Sequence, residues 1–252
     1  MHNSILESLK EKSTQGRKSF ALLIDPDNIH VEDFVPLLAK AVAEGVDYLF
    51  VGGSLIVGDQ LNSIVRLAKE QSQLPVILFP GSNLHIDTEA DAILLLSLIS
   101  GRNADLLIGQ HIIAAPILKR SRLEILPTGY MLVESGRQTT VSYISNTTPI
   151  PHDKASVAAC TAMAGEMLGL GLIYMDGGSG AEKPISNQMI QAVRKAIDCP
   201  LIVGGGLNSP EKALEALKAG ADVVVVGNAI EQEPQLLSEI AARIRWYNEQ
   251  RK

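Results

Sequence analysis

Short apolar runs recur along the chain, at 20–24, 48–51, 76–79, 93–97, 125–133, 172–175, 201–203 and 223–226. Most are followed by a cluster of Gly, Asp, Ser or Asn and then by a segment whose apolar positions repeat with helical period. Several runs lack the alternation of a half-wet strand, VVVV at 223–226 above all, and strands buried on both faces of a parallel sheet read that way. The helical segments are 31–44, 60–71, 103–119, 153–168, 186–197, 210–219 and 235–249. Ser209 before Pro210, with Glu211 next, is a capped helix start, and Gly45 and Gly220 stand where helices stop. Eight strand runs alternating with helices predict an α/β fold, a (β/α)8 TIM barrel spanning 1–252 as one domain. A doubly wound open sheet shares the alternation, but the strand count favours the barrel.

Two stretches break the pattern. PGSNLHIDTEAD at 80–91 is short and rich in breakers, so the third outer helix is expected to be missing or replaced by a loop. That would uncover the outer side of strands three and four and leave an apolar groove fit for a long hydrocarbon, with the run ILLLSLIS at 93–100 in its wall. The polar loop at 135–151 is longer than loops usually are without a role. Its Tyr143 would be odd as a solvated tip, so a homo-oligomer with this loop or a neighbouring flank in the contact is expected.

Composition removes other classes. Hydrophobic residues make up 46% and charged residues 20%, which excludes disordered, collagen-like and coiled-coil readings. A net charge of −6 argues against a nucleic-acid surface and against electrostatic docking on anionic lipid, although a basic pocket can hide in an acidic whole. Cys160 and Cys199 form neither a disulfide framework nor a zinc knuckle, which suits a reducing cytoplasm. The first twenty residues are charged and polar, and no stretch reaches the roughly 18 apolar residues of a spanning helix, so a cytoplasmic protein without a membrane-spanning segment is expected. His2, His30, His85, His111 and His152 show no metal-ligand spacing and read as surface or loop residues. The GQH at 109–111 and Trp246 read as helix packing.

Chemistry in a barrel lies at the C-terminal ends of the strands. Gly205, Gly206, Gly227 and Asn228 follow strands seven and eight, where this fold usually cradles phosphate, and glycine lets backbone amides approach an anion closely. Tight strand-to-helix turns would also require these glycines. Strand six ends in Tyr174, Met175 and Asp176, and Gly177, Gly178, Ser179 and Gly180 form a second donor-rich loop suited to a polyol phosphate. Asp176 is placed to accept a proton or to hydrogen-bond a hydroxyl, or to cap the turn. After strand one, Asp25 and Asp27 flank Pro26, so at most one faces the mouth; after strand two stands Ser54. Asp25 and Ser54 become neighbours if those strands pair, and Mg2+ needs only one or two protein oxygens when a diphosphate supplies others.

LLIDPDN, VGGS, LISGRNADLLIGQHIIAAP, YMDGGSGA, VGGGL and VVVVGNAI, in that order over nearly the whole chain, resemble the geranylgeranylglyceryl phosphate synthases, including bacterial PcrB-like proteins. The resemblance implies a barrel without its third helix and Mg2+ dependence. It also implies alkylation of the C3 hydroxyl of sn-glycerol 1-phosphate by a polyprenyl diphosphate, giving an ether lipid precursor and pyrophosphate. By the same resemblance Asp25 and Ser54 are the metal pair. Residues 174–180, Gly205, Gly206, Gly227 and Asn228 are then the glycerol phosphate site, with Asp176 the base. Two positions depart from the family: many relatives carry Glu where this chain has Asp176, and the Bacillus-type relatives carry Lys where it has Leu23. A phosphate-binding isomerase or aldolase using Asp25 and Asp176 as acid and base is the second reading, and a barrel kept only for assembly the third.

Overall fold

The computed structural model describes residues 4–251, and among them eight parallel strands close into a barrel in chain order. The strands are β1 (Ser19–Ile24), β2 (Tyr48–Gly53), β3 (Val76–Pro80), β4 (Ala92–Leu98), β5 (Glu124–Leu132), β6 (Leu172–Asp176), β7 (Leu201–Gly204) and β8 (Val223–Val226). Closure runs through β1 and β8, with Ser19 opposite Val223 and Leu22 opposite Val226. The helices are α1 (Ile5–Thr14), α2 (Val31–Glu44), α3 (Leu61–Gln71), α4 (Gln110–Arg120), α5 (Thr140–Ser145), α6 (Ala155–Met167), α7 (Asn187–Arg194), α8 (Pro210–Ala219), α9 (Asn228–Gln232) and α10 (Gln235–Glu249).

The alternation of strand side chains splits the core in two. Ala21, Phe50, Ile77, Leu94, Tyr130, Tyr174, Ile202 and Val225 fill the barrel interior. Leu22, Leu49, Leu78, Met131, Met175, Val203 and Val224 point outward and pack under the helices. The parity settles which residues of a strand end can reach the mouth: Tyr174 and Asp176 share one parity, and Met175 has the other.

The sequence signals at the helix ends hold. Ser209 Oγ accepts the Lys212 N–H at the start of α8, and Gly45 closes α2 in the left-handed region at φ +75. Between β3 and β4 there is only a 3-10 turn, Asn83–His85, so the third outer helix is replaced by a loop. Three helices were not read from the sequence: α1, α5 inside the long loop, and the five-residue α9. α1 plugs the bottom of the barrel with Ile5 and Leu9 in the interior cluster, while the Glu124 carboxylate accepts Ser4 Oγ at 2.6 Å and the amides of Ile5 and Leu6.

The histidines need correction. His85 is buried, and its Nδ1 accepts the Gly81 N–H at 3.1 Å, fixing the turn that replaces the helix. His111 is half-buried on α4. His2 lies outside the described residues. No described helix is long and apolar enough to cross a membrane.

Candidate active site

Two cavities open at the C-terminal end of the barrel. The polar one, of about 1130 Å³, is lined by Asp25, Ser54, Tyr174, Asp176, Gly178, Ser179, Gly180, Gly205, Gly206, Gly227 and Asn228. Of the residues read from the sequence, Met175 and Gly177 are the two it does not include. Met175 has the outward parity and is buried under the helices, and Gly177 sits beneath the mouth with its amide on the Gly204 carbonyl. Leu23, at the position of the Bacillus-type lysine, also lines this cavity. Among the described lining residues there is no lysine or arginine, so an anion here would meet neutral donors.

The glycines are required by the backbone as well as by any ligand. Gly205 has φ +83, and a Cβ there would lie 2.6 Å from the Gly177 nitrogen and 2.9 Å from Asp176 Oδ1. A side chain at 205 therefore displaces the β6 loop together with Asp176. Across the mouth Asn228 Nδ2 donates to Ser179 Oγ at 2.9 Å, which ties the loops after β6 and β8 together.

Asp176 is buried at the end of β6. Its Oδ2 accepts the Tyr130 hydroxyl at 2.6 Å and its Oδ1 the Gly178 amide at 2.7 Å. Burial raises its pKa above the usual carboxylate range, against the lowering effect of those two hydrogen bonds. Burial and the neighbouring Asp176 charge hold the Tyr130 and Tyr174 phenols well above their ordinary values, so both are neutral. Tyr174 stacks on Phe79 at 5.3 Å between ring centres, and Tyr130 meets Tyr174 edge-on at 5.5 Å.

At the opposite wall Asp25 and Asp27 face different ways, as the intervening proline requires. Asp27 turns to the loop after β2 and accepts the amides of Val57 and Gly58. Asp25 faces the mouth, its Oδ1 accepting the Asp27 amide at 3.1 Å and its Oδ2 the Asn28 side chain at 3.0 Å. Burial raises its pKa. Glu231 of α9 accepts the Asp25 amide at 3.1 Å. Burial, reinforced by the Asp25 charge, pushes the Glu231 pKa up to about 7. Of the two, Asp25 is the carboxylate that faces the cavity, while Glu231 is turned to the Asp25 amide. No described cluster of three or more His, Cys, Asp or Glu side chains is placed to hold a metal, and an ion beside Asp25 would need substrate oxygens and water for its other ligands. Pairing of β1 with β2 puts Ile24 beside Val51, and Asp25 Oδ2 lies 3.3 Å from where a Gly53 Cβ would stand, next to Ser54.

The second cavity is the groove expected from the missing helix. It is open to solvent along one side and runs between β3, β4 and α4, lined by Ile86, Ile93, Leu95, Leu96, Leu106, Ala114 and Leu118 among others. Of its polar residues, Asn83 Nδ2 donates to Gln110 Oε1 at 2.7 Å, and His111 Nε2 lies 3.1 Å from Ser97 Oγ. Gln110 and His111 thus belong to the groove wall rather than to plain helix packing. Gly53, Ser54 and Phe79 line both cavities, which meet beside Asp25.

Sequence reading missed Glu231, Tyr130 and Phe79. Tyr130 was within reach, because strand parity places it beside Tyr174 in the barrel interior. Glu231 carried no motif.

The model of the PcrB family matches residues 12–244. A geranylgeranylglyceryl phosphate synthase from Spirosoma linguale is 60% identical over 241 residues, covering 96% of this chain and 97% of that protein. One from the archaeon Thermococcus gammatolerans is 43% identical, covering 89% and 88%. The crystal structure of (S)-3-O-geranylgeranylglyceryl phosphate synthase from Thermoplasma acidophilum, in complex with substrate sn-glycerol-1-phosphate, superposes with a TM-score of 0.91 at 30% identity, covering 97% and 99%. A tryptophan synthase alpha subunit from Legionella pneumophila, with a TM-score of 0.57 at 16% identity over 96% of this chain and 99% of that one, shares the barrel fold.

Proposed function

The chain belongs to the PcrB family, and on that footing we propose that it transfers a polyprenyl group, geranylgeranyl first among them, from its diphosphate to the C3 hydroxyl of sn-glycerol 1-phosphate. The observation that carries this reading is the meeting of two unlike cavities along Gly53, Ser54 and Phe79. A sugar-phosphate isomerase or aldolase needs the polar mouth alone; a transferase joining a hydrocarbon to a polyol phosphate needs both.

In this account the backbone at Ser179, Gly180, Gly205, Gly206, Gly227 and Asn228 holds the glycerol phosphate, with amides in place of cations. Asp25 and Ser54 fit Mg2+, which when bound would neutralise the diphosphate and ease its departure. The allylic C1–O bond breaks with its electron pair leaving on pyrophosphate, and the glycerol oxygen forms the new bond to C1. Asp176 takes the hydroxyl proton; its raised pKa makes it the stronger base. The Tyr130 hydroxyl fixes that carboxylate, and the ring faces of Phe79, Tyr130 and Tyr174 attract the positive charge growing at C1. Holding both substrates in one mouth supplies the orientation. Tyr143, exposed at 73% on α5, suits self-association.

The groove supplies the test. Each further buried methylene contributes about 0.8 kcal/mol, so KM should fall at least about tenfold from the C10 to the C20 diphosphate, while KM for glycerol phosphate stays constant. Ala114 is buried in the groove wall, and Ala114→Phe should raise KM for the C20 substrate more than for C10. Steady-state kinetics over C10, C15 and C20 check this, and a flat series contradicts a lipid channel.

A further inference from the structure

Helix α4 is apolar on two sides. Its inner side walls the groove with Ala114 and Leu118. Its outer side presents Ile112, Ile113 and Ile117 at 67%, 62% and 43% exposure, continued by Ile108 at 58% in the turn before it. Helical spacing sets Ile113 against Ile117 with Ile112 beside them, and Ile108 precedes them in the wider turn 105–109, so the exposed isoleucines follow one another along this side. Beyond them stand Lys119, Arg120 and Arg122, all exposed and without an ion-pair partner among the described residues. From Leu106 to Arg122 there is no Asp or Glu, in a chain whose net charge is −6. An exposed apolar face ending in unpaired cations is the pattern of a helix that lies in a lipid interface.

We propose that the outer face of α4 docks the protein on an anionic lipid surface, with the isoleucines at the acyl boundary and Lys119, Arg120 and Arg122 among the headgroup phosphates. The whole-chain charge predicts the opposite, because it averages this cationic end with acidic surface elsewhere. The unpaired cations at one end of this apolar face complement anionic headgroups, which makes an anionic lipid surface its occupant. The inference deepens the prenyltransferase reading and rests on it: both the prenyl diphosphate and the ether product are lipids, and α4 is the wall between such a surface and the groove.

Cosedimentation with sucrose-loaded vesicles, without substrate, tests this. Vesicles of equal parts phosphatidylcholine and phosphatidylglycerol should pellet the protein, and pure phosphatidylcholine much less. The double variant Ile112→Asn, Ile113→Asn and the double variant Lys119→Glu, Arg120→Glu should each weaken partition about tenfold, the second also removing most of its salt sensitivity. Both should keep the wild-type kcat on the soluble C10 diphosphate. Absence of the wild type from the mixed-vesicle pellet, or equal pelleting of all three proteins, overturns the proposal. So does light scattering that shows the isoleucine variant splitting an oligomer while the wild type ignores vesicles. Because no substrate is present, a failure of prenyl transfer would leave the vesicle result unchanged and be seen separately in the kinetics.

Discussion

Asp176→Asn is expected to lower kcat by about 10²- to 10⁴-fold, the usual contribution of a positioned general base. The amide keeps the shape at the end of β6 but cannot accept the hydroxyl proton. KM for glycerol phosphate should change far less, because the neighbouring loops hold the phosphate. Asp176→Glu, which restores a carboxylate one methylene longer, should recover much of the loss. The pH profile carries an independent sign: the base works when ionised, so activity is present at high pH and lost as pH falls through its raised pKa. That acid limb, set above the ordinary carboxylate range, should vanish in the Asn variant. Stopped assays from acid to neutral pH, with thermal unfolding to confirm folding, check both. An Asn variant with wild-type kcat would put the base elsewhere.

Asp25→Ala should cost on the order of 10²-fold or more in kcat, comparable to removing one strong electrostatic stabiliser of the leaving group. Its carboxylate is pre-set by Asp27 and Asn28, so it needs no rearrangement to meet a cation. The Mg2+ concentration for half-maximal activity should rise as well. The change also removes a like charge beside Glu231, so lost activity cannot come from added repulsion. Kinetics against Mg2+ concentration measure the effect. Full wild-type activity in EDTA contradicts the metal role of Asp25.

Most of the fold was legible because its signals are local. Buried parallel strands are continuous apolar runs, and β8 begins and ends where VVVV does. The missing helix showed in Pro80, Gly81 and Asn83, and the groove followed from it. α1 was hidden because its apolar residues, Ile5, Leu6 and Leu9, serve only to plug the barrel, although Ser4 and Glu7 already marked its start. α5 and α9, at six and five residues, are too short for periodicity to register. The mouth was legible where glycine and aspartate stand at strand ends. It was not where the meaning lies in pairing: Glu231 meets Asp25 across 206 residues, and Asp176 finds Tyr130 through the register of β5 and β6. Met175 shows the converse error, since a motif names consecutive residues while a strand sends them to opposite faces.

The central claim is that one site joins a hydrocarbon chain to a polyol phosphate. The direct measurement incubates the purified protein with separately labelled geranylgeranyl diphosphate and sn-glycerol 1-phosphate in Mg2+, extracts into organic solvent and follows pyrophosphate in the aqueous phase. The account predicts a single extractable lipid phosphate carrying both labels, with one pyrophosphate released for each. Conversion of the glycerol phosphate without incorporation of the prenyl label, or no doubly labelled product at all, would contradict it.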